Sequence, residues 1–157
     1  MTSITDTIAA LTGEEAIRVL ADTADYRNRL PDPAQLRTLE TGLRDATADD
    51  TELAGYAEPG TTADAGDLAR ATLLHLAATN PDLVPVITRT ISDPDYAVRE
   101  PVTLTVGALV VLALQTEVKL ARNAQGRWTF TVHKHPARDS TLGQVISKLL
   151  AYLPGSK

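Results

Sequence analysis

The sequence predicts an α+β protein, with an N-terminal part of about four helices packed against a C-terminal helix–β-hairpin–helix unit. Three observations carry this expectation. Helix starts marked by cap residues and proline recur through the N-terminal part. One segment, Val118 to Val132, alternates apolar and polar residues with period two on either side of Asn123-Ala-Gln-Gly126. Apolar residues then return to helical spacing after Pro136.

Each element has its own local signal. Thr12-Gly-Glu-Glu15 has the pattern of a capping box, and Ala16, Ile17, Leu20 and Ala24 then recur at helical spacing. Residues 4–11 form an earlier turn leading into it. Asp32 followed by Pro33 is a sharper start, because proline at the first helical position gives up an N–H that would be unpaired anyway. Leu36, Leu39, Leu43 and Ala46 follow as one narrow stripe, which Gly42 weakens by about 1 kcal/mol relative to Ala.

Residues 47–66 are acidic, hold no basic residue and are short of large apolar groups. They cannot offset their ordering entropy and are expected to be a mobile loop, with one turn near Leu53–Tyr56. Helix returns around Asp67. Leu68, Ala71, Thr72, His75, Leu76 and Thr79 share one side, and Leu73, Leu74 and Ala77 broaden it. Asn80-Pro81 restarts the chain; Val84, Ile87 and Ile91 continue an apolar stripe, with Pro85 tolerated in the first turns.

Ser92-Asp-Pro-Asp-Tyr96 and Arg99-Glu-Pro101 mark a boundary between residues 1–100 and 101–157, two parts of one globular unit. Val102–Val106 alternates and reads either as a short strand or as the start of a helix. Residues 107–116 are apolar nearly all round, and their Ala and Leu content favours a buried helix. In the hairpin, Val118 and Leu120 share a face with Trp128, Phe130 and Val132, the only Trp and Phe of the chain. A two-stranded hairpin is marginal alone. Helices 107–116 and 140–153 are expected to cover its apolar face, through Val145, Ile146 and Leu149. The last helix starts near Asp139 or Ser140, carries Leu142, Val145, Ile146, Leu149 and Leu153 in its stripe, and ends at Pro154-Gly155.

Composition narrows the class. The chain has 157 residues, 43% hydrophobic and 22% charged, enough for one ordinary core or two small lobes sharing one. The absence of Cys excludes a disulfide scaffold, a thiolate zinc site and a thiol nucleophile together. Met1-Thr-Ser-Ile-Thr-Asp has neither a basic nor an apolar signal region, so a cytoplasmic location is expected. The longest apolar run, extended back to Val102, reaches only 13 residues, whereas a spanning helix needs about 20.

No phosphate-binding glycine loop, nucleophile elbow or His-Glu-x-x-His occurs, and the acids are scattered over caps, loops and solvated faces. The sequence therefore nominates no catalytic residue, no cofactor and no metal site. Adjacent Asp49 and Asp50 fall in the expected loop, where preorganisation is poor. His75 reads as a hydrogen-bonded core residue. His133-Lys-His135 places two imidazoles about 7 Å apart on one side of a strand. Zinc or nickel would need a third ligand that no spacing supplies, so a solvated strand edge is expected.

Charge is the more informative feature. The net charge of −5 divides unevenly: residues 1–100 hold 18 acids against 8 Arg, whereas residues 101–157 hold Glu117 and Asp139 against 4 Lys and 3 Arg. Lys119, Arg127, His133 and His135 share the polar face of the hairpin by parity. Arg122, Lys134 and Arg138 crowd its ends. The candidate partner-binding residues are therefore Lys119, Arg122, Arg127, His133 and His135. Nucleic acid is disfavoured, because the whole chain is acidic with a pI of about 5.1 and no aromatic alternates with these cations. An acidic protein surface, further copies of the chain, or its own acidic half remain as partners.

The run Gly-Ala-Leu-Val-Val-Leu-Ala-Leu-Gln-Thr-Glu-Val-Lys-Leu from Gly107, then Gly126-Arg-Trp-Thr-Phe and Asp139-Ser-Thr-Leu-Gly-Gln-Val-Ile-Ser-Lys-Leu-Leu, resembles the end of small proteins from high-GC, actinobacteria-like genomes. Asn80-Pro-Asp-Leu-Val-Pro-Val-Ile is similar to a segment of the same proteins, so the resemblance lies within roughly Asn80–Leu153. It implies no activity and carries over no site residue. By analogy of type, such proteins are often adaptors of bacterial signalling or defence systems. The expected function is a non-enzymatic interaction or adaptor module. The alternative is a small-molecule or lipid-binding protein using apolar space between hairpin and helices, and an enzyme comes third.

Overall fold

The helices begin where the cap residues place them. The computed structural model describes residues 3–29, 31–48, 63–92, 105–114, 117–132 and 140–152. Among these, seven α-helices accompany one two-stranded antiparallel sheet. Helix α1 (Ile4–Ala9) is capped by Ser3, which accepts the Asp6 amide at 3.1 Å. Helix α2 (Gly13–Asn28) opens on the complete capping box: Thr12 Oγ1 accepts the Glu15 amide at 3.2 Å, and Glu15 Oε1 accepts the Thr12 amide at 3.0 Å. Helix α3 (Pro33–Ala48) starts under Asp32, whose carboxylate accepts the Gln35 amide at 2.8 Å.

Helix α4 (Ala65–Thr79) begins earlier than the sequence reading placed it, because Asp64 is a good N-cap and accepts the Asp67 amide at 2.7 Å. Since α3 also runs to Ala48, the expected loop 47–66 gives up both its ends to helix. Residues 49–62, including Asp49 and Asp50, lie outside the described residues. A 3₁₀ turn at Pro81–Leu83 leads into α5 (Val84–Ser92). The alternation at Val102–Val106 ends in helix: α6 spans Val106–Ala113 and is buried almost all round, while residues 101–104 are not described. Strands β1 (Val118–Arg122) and β2 (Trp128–Val132) pair Val118 with Val132, Leu120 with Phe130 and Arg122 with Trp128. Helix α7 (Thr141–Tyr152) starts at Ser140, whose hydroxyl accepts the Gly143 amide at 3.0 Å.

Packing is shared across the two parts of the chain. Leu20, Leu43, Leu73 and Ile87 of the first hundred residues join Leu109, Phe130 and Ile146 in a single core. Helix α2 packs along α4 and α6, and α7 lies on α4. The hairpin lies on α3. This corrects the expectation that α7 covers the hairpin. Helix α7 has already spent Val145, Ile146 and Leu149 on the core beside α4. The seat for the hairpin is Gly42 of α3: a Cβ there would stand 2.6 and 2.7 Å from Cε2 and Cε3 of Trp128. What reads in sequence as a weak point in a helix is the notch that receives the indole. Among the described residues, no helix is long and apolar enough to cross a membrane.

Candidate functional site

The hairpin carries Lys119, Arg122 and Arg127 of the sequence-nominated cations, and its turn is tightly determined. The Gly126 amide donates to Asn123 O at 3.0 Å, and the Asn123 amide donates to Arg127 O at 2.9 Å. The Asn123 carboxamide oxygen accepts from the amides of Gln125 and Arg127 at 3.0 and 2.9 Å. Gly126 sits at φ 82°, a left-handed conformation that glycine adopts without steric cost. The turn thus holds the backbone of Arg127 at both its N–H and its C=O.

Pairing then sorts the side chains onto two faces. Val118, Phe130 and Val132 are buried, with Leu120 and Trp128 half-buried beside them, on the face toward α3. Lys119, Thr129 and Thr131 are exposed on the opposite face, and Arg127 is exposed in the turn. Among the described residues, neither Lys119 nor Arg127 has an acidic group within ion-pair distance. Arg122 plays a different part. Its guanidinium lies 5.8 Å from the centroid of the Trp128 ring, and its Nε donates to Gly126 O at 3.2 Å. The indole is thereby held between the Gly42 notch and a cation, a favourable arrangement for the ring quadrupole. His133 and His135 lie outside the described residues.

Two further polar clusters compete for attention. His75 of α4 is buried, with Nδ1 2.7 Å from Thr141 Oγ1 and Nε2 3.8 Å from a Glu117 carboxylate oxygen. It is the hydrogen-bonded core histidine the sequence suggested, and it ties α4 to the start of α7 and to the segment entering β1. Beside Thr141, a cleft of about 250 Å³ between α4 and α7 carries Arg70 and Lys148. Arg70 is committed: it donates to Leu11 O at 2.9 Å and to Asp67 at 2.8 Å, and this bond holds the Asp67 carboxyl below its ordinary value. Lys148 also lies near enough to favour ionised Asp67.

The cluster that sequence reasoning missed centres on Glu40 of α3, which is buried. Thr105 gives α6 no side-chain cap, and Glu40 supplies one from another helix: Oε1 accepts the Ala108 amide at 2.8 Å. Burial pushes the Glu40 carboxyl above its ordinary value, against the opposing pull of the Ala108 amide and of Arg44, 3.9 Å away. Burial likewise raises the Tyr152 hydroxyl, with the Glu40 charge adding to it. Gly107 makes room for the carboxylate, since a Cβ there would stand 2.8 Å from Oε2. A signal was present in the sequence: Glu40 falls inside the stripe from Leu36 to Leu43, four residues after one and three before the other. Its role is structural, capping a helix whose start is buried.

Fold and surface together define a class: a helical protein carrying a docked β-hairpin whose free face is cationic. Comparison with protein-family models, with curated proteins and with solved structures finds no match for this chain.

Proposed function

We propose that this chain is a non-enzymatic interaction module whose hairpin presents Lys119 and Arg127 to an acidic protein surface, in the manner of an adaptor. His133 and His135 continue the same face by sequence parity, and Arg122 borders it. The observation that carries the reading is that Lys119 and Arg127 stand exposed, with no acidic partner among the described residues, in a chain of net charge −5. Exposed ion pairs contribute only about 0–1 kcal/mol each, so segregating charge gains little stability within one fold. Steering between molecules depends on it strongly.

The test is the double substitution Lys119→Glu with Arg127→Glu. Fluorescence anisotropy of labelled poly-L-glutamate should show wild-type binding that weakens as salt rises, and a loss of more than about tenfold in the variant at low salt. The thermal midpoint should barely move, because neither side chain is buried. Equal affinity of the two proteins for the polyanion would overturn the proposal.

A further inference from the structure

The cleft between α4 and α7 is independent of the hairpin and has its own chemistry. Helix α7 runs antiparallel to α4: Thr141, at its start, meets His75 near the end of α4, and Lys148 lies near Asp67 at the beginning of α4. The cleft, about 250 Å³, therefore has two chemically different ends. Thr141 and Lys148 share one face of α7 and stand about 10 Å apart along its axis. Between them, half-buried Ala71 and Leu74 of α4 give the cleft an apolar wall.

Charge at one end selects an anion. Arg70 is pinned by Leu11 O and by Asp67, and at 2.8 Å its charge offsets that of Asp67. Lys148 is then the surplus, so the lining carries a net +1, with Arg70 and Lys148 against Asp67. Lys148 is half-buried. An ammonium in that position attracts a carboxylate more strongly than a solvated one does, because water screens it less.

The other end is set by His75. Its Nε2 lies 3.8 Å from a carboxylate oxygen of Glu117, which favours the ring proton on that nitrogen. Nδ1 then accepts the Thr141 hydroxyl proton across 2.7 Å. With that proton committed to a buried ring, Thr141 Oγ1 offers the cleft lone pairs and no donor. A ligand must bring the donor. The first turn of α7 disfavours a cation, so the donor is a neutral hydroxyl rather than an ammonium.

We infer that the cleft binds a small hydroxy acid, with one carboxylate on Lys148, a short apolar chain over Ala71 and Leu74, and a terminal hydroxyl donating to Thr141 Oγ1. Size limits the class, since about 250 Å³ falls below the range of about 300–1,000 Å³ found for drug-sized ligands. An acid of about six carbons spans the two ends once a hydrogen bond is allowed at each.

The test titrates ¹⁵N-labelled protein with ω-hydroxyhexanoate, hexanoate and ω-methoxyhexanoate. The hydroxy acid should shift the amides of Leu74, Thr141 and Lys148 and bind tightest. Hexanoate loses one neutral hydrogen bond and should bind about three- to tenfold more weakly. The methoxy acid carries an acceptor without a donor and should bind no better than hexanoate. Lys148→Gln should weaken the hydroxy acid more than about tenfold, while the thermal midpoint stays in place. Equal binding of the methoxy and hydroxy acids would mean that Thr141 donates, and would overturn the inference. So would undiminished binding by Lys148→Gln, shifts confined to the hairpin, or cleft amides that do not move at millimolar hydroxy acid.

Discussion

Gly42→Ala should destabilise this protein, although helix propensity alone says the reverse. In an unobstructed helix the change gains about 1 kcal/mol. Here the new Cβ would lie 2.6 and 2.7 Å from two atoms of the Trp128 ring, against an optimum near 3.5–4.0 Å. The indole must retreat by roughly 1 Å, and its other side is bordered by the Arg122 guanidinium, 5.8 Å from the ring centroid. Overpacking costs about 1–3 kcal/mol, and an approach under 3.0 Å to several ring atoms puts this case in the upper half of that range, leaving a net loss of about 1–2 kcal/mol. In a Trp128→Ala background the obstruction is gone, and the same substitution should stabilise by about 1 kcal/mol. Urea unfolding of the four proteins of this cycle, followed by far-UV circular dichroism so that loss of the only Trp does not matter, measures the coupling. We expect a change of sign, with a coupling of about 2–3 kcal/mol. An effect of Gly42→Ala that is the same in both backgrounds would refute the notch.

Other substitutions probe the interior. Glu40→Gln keeps an acceptor for the Ala108 amide and removes the buried charge. Because burial raises the folded-state value of Glu40, the folded protein holds this proton more tightly than the unfolded chain. Its contribution is most favourable below the unfolded value of about 4.3 and is lost as pH rises from there through the folded value. The stability of the Gln variant relative to wild type should therefore increase from pH 4 to pH 7, and urea midpoints showing no such trend would contradict the assignment. At the contact between α2 and α4, Gly66→Ala would bring a Cβ to 2.6 Å from the Gly13 Cα, backbone that cannot yield, whereas the Cβ of Gly13→Ala would meet Gly66 at an ordinary 3.6 Å. The first should cost about 1–3 kcal/mol and the second less than about 0.5 kcal/mol; equal thermal midpoints for the pair would argue against this close approach.

What was legible in the sequence was local. Thr12 with Glu15, Asp32 with Pro33, and Ser140 are cap signals acting within one helical turn, and each helix begins there. The hairpin was legible because alternation about Asn123–Gly126 is itself a local pattern, and the same parity correctly put Lys119 and Arg127 in solvent. The partner of the hairpin was not. Helices α3 and α7 both carry an apolar stripe, and the choice between them rests on one glycine complementing one indole 86 positions away. Glu40 escaped for a related reason: an acid at a helix i,i+4 spacing from Arg44 looks like a solvated pair until α6 is laid across it. The early start of α4 was legible in principle, since Asp64 three residues before Asp67 is a cap pattern, and the acidity around it drew the reading toward loop.

The proposed function places acidic partners on the outer face of the hairpin rather than at another basic site. Its competitor is the cleft holding Arg70 and Lys148. Titrating ¹⁵N-labelled protein with poly-L-glutamate at low salt, and following backbone amide shifts, separates the two. Shifts are expected to concentrate between Val118 and Val132, largest around Lys119 and Arg127, and to fade as salt is added. Shifts centred on Arg70, Thr141 and Lys148, with the hairpin amides unmoved, would contradict it.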